Sequence, residues 1–405
     1  MSEFRVDVLR GLAALGVVFY HVRSELWVGW NAIRIHPENF TVLERLLAYL
    51  GLPMRFMGAG VVIFFVLSGF CIHKPQAERI HKLGGGKESA CPTWSSFYLR
   101  RFLRIFPPYL AALVLSGVVL VVVGALNHQS IVRWLASVFM MQNYVPPGGQ
   151  VASNPSLWSL PVEMELYVAY PAVWWMINRL GCSRMLVFVG SVSAVSIVVS
   201  LSGVRWLGGN FLNFWVVWCA GAWVAERSAM KRLPGWTLQW GLIFAGTLTA
   251  ACASEMMSFP AAKSVSLLLW GAVGVLALIW ASSDKSGEGW LDAAWPARAL
   301  AKVGVFSYSL YLVHYPLFFA MGHWWKIWTG DKPSNLLVAM AGILISVGAA
   351  WIFYILIERP SHVLARRLGQ ERKARSTTLG PDGTLITDPN LVRTAVHRDL
   401  SAEGN

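Results

Sequence analysis

His21 sits in an apolar run, LRGLAALGVVFYH. Imidazole is the side chain whose ordinary pKa lets it take a proton near neutral pH and hand it back. Read as a helix starting near residue 8, the run carries His21 about 20 Å along its axis at 1.5 Å per residue, beyond the middle of a bilayer core about 30 Å thick. A polar group there needs a partner or a wet cavity, so His21 is a candidate proton acceptor, or equally a structural histidine bonded to a neighbouring helix. Glu163 and Glu165, in SLWSLPVEMELYVAYP, are two apart and diverge on a helix, so they need not form a carboxylate dyad. One of them could orient His21 or accept its proton while the other meets polar substrate, or either could simply be hydrated at an interface. Arg100, Arg101 and Arg104, in YLRRFLRIFPP, are three and four apart and can converge on one patch. Their permanently charged, planar forks suit phosphate oxygens; they suit anionic headgroups as well.

SYSLYLVHYP places Tyr311 and His314 three apart on one helix face, either lining a cavity or tying helices together. Asp7 and Arg10, and further on Glu358 and Arg359, read as ion pairs at helix ends, with Asp7 and Arg10 also candidates to line a site. The five cysteines are scattered and include no CxxC pair, which fits free thiols and gives no sign of a metal site. HExxH, GxGxxG, P-loop and GxSxG patterns are absent, and with them the cheapest support for those chemistries.

Long apolar segments must position these residues. The chain is 56% hydrophobic before its 36 glycines are added and only 14% charged, whereas a soluble domain carries about 25% charged residues. Ten segments approach the roughly 20 apolar residues of a membrane-crossing helix: 8–27, 56–73, 108–126, 162–180, 185–203, 209–225, 236–254, 262–281, 303–323 and 336–357. The expected fold is therefore an all-α, polytopic integral membrane bundle of about ten helices. Pro107 and Pro108 fit the first turn of the third span. With the N-terminus inside, only Arg23, Arg34, Arg45, Arg55, Arg133, Arg205, Lys263, Lys326 and Lys332 of the 34 basic residues fall outside. The positive-inside rule then puts both termini in the cytoplasm. The net charge of +13 thus reports orientation before it reports a polyanionic partner, and nucleic acid is not expected. Residues 1–360 form the membrane domain. Residues 361–405 read as a basic cytoplasmic juxtamembrane helix leading into a polar, disordered tail. The turn-rich 128–161 segment offers Gly, Pro, Asn and Gln at an outer mouth.

Taken in order, FRVDVLRGLAALGVVFYH, GVVIFFVLSGF, the Arg101-x-x-Arg104 pair, SLWSLPVEMELYVAYP, SYSLYLVHYP and IERP resemble the signatures of the integral membrane acyltransferase-3 family. This family includes O-acetyltransferases of bacterial lipopolysaccharide, exopolysaccharide and nodulation oligosaccharides. The resemblance runs from about residue 4 to 360. It implies transfer of an acyl group, most often acetyl from cytoplasmic acetyl-CoA or another acyl-CoA, to a hydroxyl of an extracytoplasmic or membrane-presented glycan. It also implies a multi-pass protein of the bacterial inner membrane whose partners are acyl-CoA, membrane lipids and a cell-envelope or secreted glycan, with no tightly bound cofactor. On this reading His21 is the general base or, as a second choice, a transient acyl carrier, and Glu163 orients the histidine or the acceptor. Arg100, Arg101 and Arg104, with Lys87 nearby, meet the coenzyme phosphates. Tyr311 and serines of the same segment are candidate oxyanion donors. A transporter or flippase of a lipid-linked sugar or acylated metabolite is the alternative from another class.

Overall fold

The computed structural model describes residues 3–82, 91–145, 149–204, 209–282 and 294–378, so Lys87 lies outside the described residues. The described elements are helical: α1 Glu3–Glu25, α2 Gly29–Ile35, α3 Val42–Leu50, α4 Gly60–Lys82, α5 Trp94–Val122, α6 His128–Val138, α7 Ser159–Leu180, α8 Cys182–Leu201, α9 Trp215–Ala229, α10 Leu238–Ser254, α11 Ala262–Ser282, α12 Trp295–Val305, α13 Ser307–Thr329, α14 Leu336–Phe353 and α15 Arg359–Thr378. In hydrocarbon each backbone N–H and C=O must be satisfied within its own segment, which for apolar stretches of this length means helix.

All ten apolar segments seen in the sequence are helical. Length and composition together single out fewer as candidate spans: five among the described residues, or six when α12 and α13, bent by 79° at their junction, are taken as one. The difference has a plain cause. Helices α9 and α10 have 15 and 17 residues, short for a 30 Å core, while α1 carries charges at both ends. The protein is an all-α polytopic membrane bundle.

The chain divides into two compact units: residues 1–91 with 109–354, and residues 92–108 with 355–405. In the first unit, glycines let helix backbones touch. A methyl group at Gly69 of α4 would stand 1.9 Å from the Trp218 carbonyl oxygen of α9, and one at Gly221 the same distance from that of Val66. Helix α1 meets α12 in the same way, Gly304 lying against the Asp7 carbonyl. Close approach through small residues is how helices associate where water cannot drive them together.

Proline positions explain several side-chain contacts. Pro107 and Pro108 lie inside α5, which begins at Trp94, not in the first turn of a helix. A proline cannot donate to the carbonyl four residues back. In the second unit that carbonyl, Leu103, accepts instead from the Ser361 hydroxyl. The first unit repeats the device: Pro316 lies inside α13, and the freed Leu312 carbonyl accepts from Asn154 Nδ2 at 3.0 Å.

Candidate active site

His21 is the fifth residue from the end of α1, whose last residues are Phe-Tyr-His-Val-Arg-Ser-Glu, and so lies in its last two turns. Its Nδ1 lies 2.9 Å from Nε2 of His314 on α13, and the two rings stack with centroids 5.1 Å apart. His314 is fully buried, and its Nδ1 lies 2.9 Å from the Leu310 carbonyl. A carbonyl can only accept, so Nδ1 of His314 carries a hydrogen, and in the neutral ring Nε2 is then an acceptor. His21 must therefore donate from Nδ1, which leaves its Nε2 with a free lone pair. The chain Leu310–His314–His21 thus sets the tautomer of the last ring, and among the described residues nothing bonds to its Nε2. Tyr315 closes one side, its ring edge-on to His21 at 5.0 Å and its hydroxyl donating to Glu25 at 2.7 Å.

Tyr311, one turn before His314, donates to the Ser156 carbonyl, and its oxygen lies 2.7 Å from the Ser159 hydroxyl. Its hydroxyl hydrogen is committed to a backbone carbonyl, so it holds a wall in place. That wall is the 3-10 turn Pro155–Trp158, which Asn154 also pins to α13. Asn154 is in turn bonded by the Ser156 hydroxyl at 2.6 Å.

The hydrogen bonds of Glu163 come from Ser68 at 3.0 Å and from the Tyr167 hydroxyl; Trp218 Nε1 also reaches Ser68, at 3.3 Å. His21 takes its orientation from His314, while the carboxylate belongs to a cluster on α4, α7 and α9. Glu165 accepts from Tyr144 at 2.6 Å and from the Phe211 amide at 2.9 Å, tying two connecting segments to α7. Asp7 and Arg10 pair at 2.9 Å, and Arg10 reaches Cys71 Sγ at 3.2 Å, which links α1 to α4. None of the five cysteines is in a disulfide.

The arginines belong to the second unit. Arg100 and Arg101 are half-buried and Arg104 is exposed; the Arg101 guanidinium lies over the Phe97 ring at 5.5 Å. Glu358 and His362 stand 3.6 Å apart in the same unit.

Sequence reasoning named His21 and His314 separately but did not join them; 293 positions part them, and no local spacing signals the pair. Asn154 and Ser156 were missed, though Pro316 announces that some donor must serve the Leu312 carbonyl. A third network was also missed: Glu226, bonded by His73 at 2.9 Å and His81 at 2.6 Å.

A polytopic helical bundle thus holds a tautomer-fixed histidine between α1 and α13. Residues 3–355 match the acyltransferase domain family, and the chain belongs to that family. Nodulation protein 10 of Rhizobium leguminosarum bv. viciae is 25% identical over 410 residues, covering 89% of this chain and 95% of its own. The acyltransferase MdmB of Streptomyces mycarofaciens is 21% identical, covering 95% and 96%. The peptidoglycan O-acetyltransferase OatA of Listeria monocytogenes is 25% identical over 342 residues, covering 77% of this chain and 49% of its own. No solved structure matches the chain significantly. The protein is a membrane acyltransferase.

Proposed function

We propose that the protein moves an acyl group, acetyl in the first instance, from cytoplasmic acyl-CoA to a hydroxyl of a glycan outside the membrane or presented at it. The observation that carries the reading is the His21 tautomer: in a chain of this family, a histidine with Nδ1 tied to His314 offers Nε2 as a base. The acceptor hydroxyl loses its proton to Nε2 as its oxygen attacks the thioester carbonyl carbon. The carbon–sulfur bond then breaks, and the imidazolium returns the proton to the departing thiolate, giving the ester and free CoA. His314 orients the base and accepts the Nδ1 hydrogen throughout.

Arg100, Arg101 and Arg104 meet the coenzyme phosphates, a role for which permanently charged forks are suited. Glu163 positions Ser68 and Tyr167 around the reaction path. In this reading the ten apolar helical segments all cross the bacterial inner membrane, both termini lie in the cytoplasm, residues 1–360 are the catalytic domain and 361–405 a basic juxtamembrane tail. The peptidoglycan O-acetyltransferase among the relatives supports a glycan as acceptor class.

Transfer from labelled acetyl-CoA to envelope glycans, followed by mass spectrometry of glycans from deletion and complemented cells, tests the reading. A new acyl mass that depends on His21 is expected. Transfer undiminished in a well-folded His21→Ala protein would remove His21 as the base.

A further inference from the structure

Helix α3, Val42–Leu50, turns its apolar face away from the bundle. Val42, Leu43, Leu46, Tyr49 and Leu50 are each more than half exposed, and at 3.6 residues per turn they fall within an arc of about 120° on one face. The opposite face does the holding. Ala48 is fully buried there. Glu44, on the same side, closes the start of the helix, its Oε2 accepting from the Thr41 amide at 2.8 Å, while its Oε1 accepts from the Ser334 hydroxyl. Five large side chains of this kind in nine residues make a continuous apolar patch, which surfaces facing water rarely carry without a partner. Nine residues at 1.5 Å each reach only about 14 Å, so α3 does not cross a core about 30 Å thick.

What covers the stripe follows from its neighbours. Ser334, which holds Glu44, lies between Trp328, in the last turn of α13, and Leu337, in the first turn of α14. Trp324, Ile327, Trp328 and Leu337 are all exposed. Exposed tryptophans at the end of an apolar helix mark the level of the lipid headgroups. The anchor of α3 is therefore set at the edge of the hydrocarbon, and its stripe continues the apolar surface that α13 and α14 turn outward. The flanks fit the same layer. Arg45 is exposed beside the stripe, and its stem can lie on lipid chains while the guanidinium reaches headgroup phosphates. Tyr49 and Trp30, with ring centroids 4.6 Å apart, combine an apolar body with a polar tip, as that layer favours. The same joint reaches α1: Trp27 Nε1 donates to the Ser334 carbonyl at 2.9 Å, and the Val28 amide to that of Pro333 at 2.8 Å. Helix α3 thus sits at the end of the bundle to which α1 delivers His21.

We propose that α3 is an interfacial helix, seated by this stripe in the boundary between lipid headgroups and acyl chains at the His21 end of the bundle. Its partner is a lipid surface, not a second copy of the chain. Seating of this kind depends on the apolar area placed in the lipid, which makes it testable residue by residue. The full chain, with its exposed Cys91 changed to serine, is placed in lipid nanodiscs and carries a nitroxide on one introduced cysteine. Leu43→Cys, Leu46→Cys and Leu50→Cys report on the stripe, and Glu38→Cys on the exposed turn before it. The parent chain, labelled in parallel, corrects for the remaining thiols. Collision with oxygen, which concentrates in hydrocarbon, is compared with collision with a water-soluble nickel chelate.

Labels at the three stripe positions should meet oxygen more than nickel, and the label at position 38 the reverse. Leu43→Asp with Leu46→Asp should lift the helix, so that the label at position 50 passes from oxygen to nickel. Stripe labels that prefer nickel would place the face in water. Labels shielded from both reagents would mean that protein covers it, a second copy where the spins also broaden one another. Either result overturns the proposal, as does a label at position 50 that the aspartates leave in lipid. The cysteines replace exposed side chains, so they give the answer even where the double aspartate variant fails to fold. None of these measurements uses transfer, so their failure is separate from a failure of the acyl-transfer reading.

Discussion

Two histidine networks hold this bundle together, and they differ at one atom. His73 is fully buried and uses both ring nitrogens, Nδ1 toward the Tyr170 hydroxyl at 3.1 Å and Nε2 toward Glu226 at 2.9 Å. His21 is half-buried and uses only Nδ1. A ring bonded at both nitrogens is a cross-link; its lone pair and its hydrogen are spent on the fold. A ring fixed at one nitrogen and open at the other is a base with its orientation already set. The partners differ too. Glu226 is a carboxylate that bridges His73 and His81, joining α4 to α9, which also touch at Gly69 against Trp218 and Gly221 against Val66. His314 is a neutral relay whose own position rests on a backbone carbonyl.

Substitution should separate the two networks most sharply at the open ring. His21→Ala is expected to lower the transfer rate by about 10²- to 10⁴-fold, the usual contribution of a general base, with protein abundance near wild type. His73→Ala should do the reverse. It leaves a buried carboxylate short of a donor, for a stability loss of about 1–3 kcal/mol, while the rate per folded molecule stays near wild type. Thermal unfolding in detergent beside single-turnover transfer reads both quantities. A comparable loss of rate per folded molecule from His73→Ala would dissolve the distinction.

His314→Ala sharpens the comparison further, because it removes only the orienting partner. The acetyl-CoA KM should hold while kcat falls by about 10²-fold, at the lower end of the base contribution. Next in size comes the arginine patch. Arg101→Ala with Arg104→Ala should raise the acetyl-CoA KM at least about tenfold, the loss of a single charge-assisted contact being worth roughly 1.5 kcal/mol at the low end. A loss of abundance at constant KM would assign these arginines to lipid headgroups instead.

Backbone contact gives the next step down. Gly69→Ala and Gly304→Ala place a methyl group 1.9 Å from a carbonyl oxygen, and overpacking of this kind costs about 1–3 kcal/mol. Gly69→Ala disturbs the Glu226 side of the molecule and Gly304→Ala the helix that carries His21. Melting temperatures should fall in both, and the transfer rate per folded molecule should fall further in Gly304→Ala than in Gly69→Ala, whose neighbour Ser68 belongs to the Glu163 cluster.

What the sequence revealed depended on whether a contact was local. His21, the arginine spacing and the apolar segments can be read from a few consecutive residues, and each stands in a helix. The His21–His314 pair, the Ser68–Glu163 bond and the Glu226 bridge join residues 95 to 293 positions apart, and neither period nor composition encodes which helix faces which. Glu163 shows the limit well: a carboxylate in an apolar run announces a partner but not its identity. Short helices such as α9 show the other limit, since 15 residues satisfy a hydropathy reading of the chain more readily than the thickness of a bilayer.

Pro316 lies between these cases, because its consequence was legible and its partner was not. The Leu312 carbonyl lost its amide to the proline and gained Asn154, so the two residues should be energetically coupled. Asn154→Ala alone is expected to cost about 1 kcal/mol and to loosen the Pro155–Trp158 turn that carries Tyr311's anchor, slowing transfer a few-fold. Pro316→Ala restores an amide to the same carbonyl, so in that background Asn154→Ala should cost measurably less. A double-mutant cycle on melting temperature reads the difference. Additive effects would mean that Asn154 serves the site through Ser156 and through the Ser116 hydroxyl, to which its Nδ2 also donates at 3.3 Å, and that the helix tolerates the open carbonyl unaided.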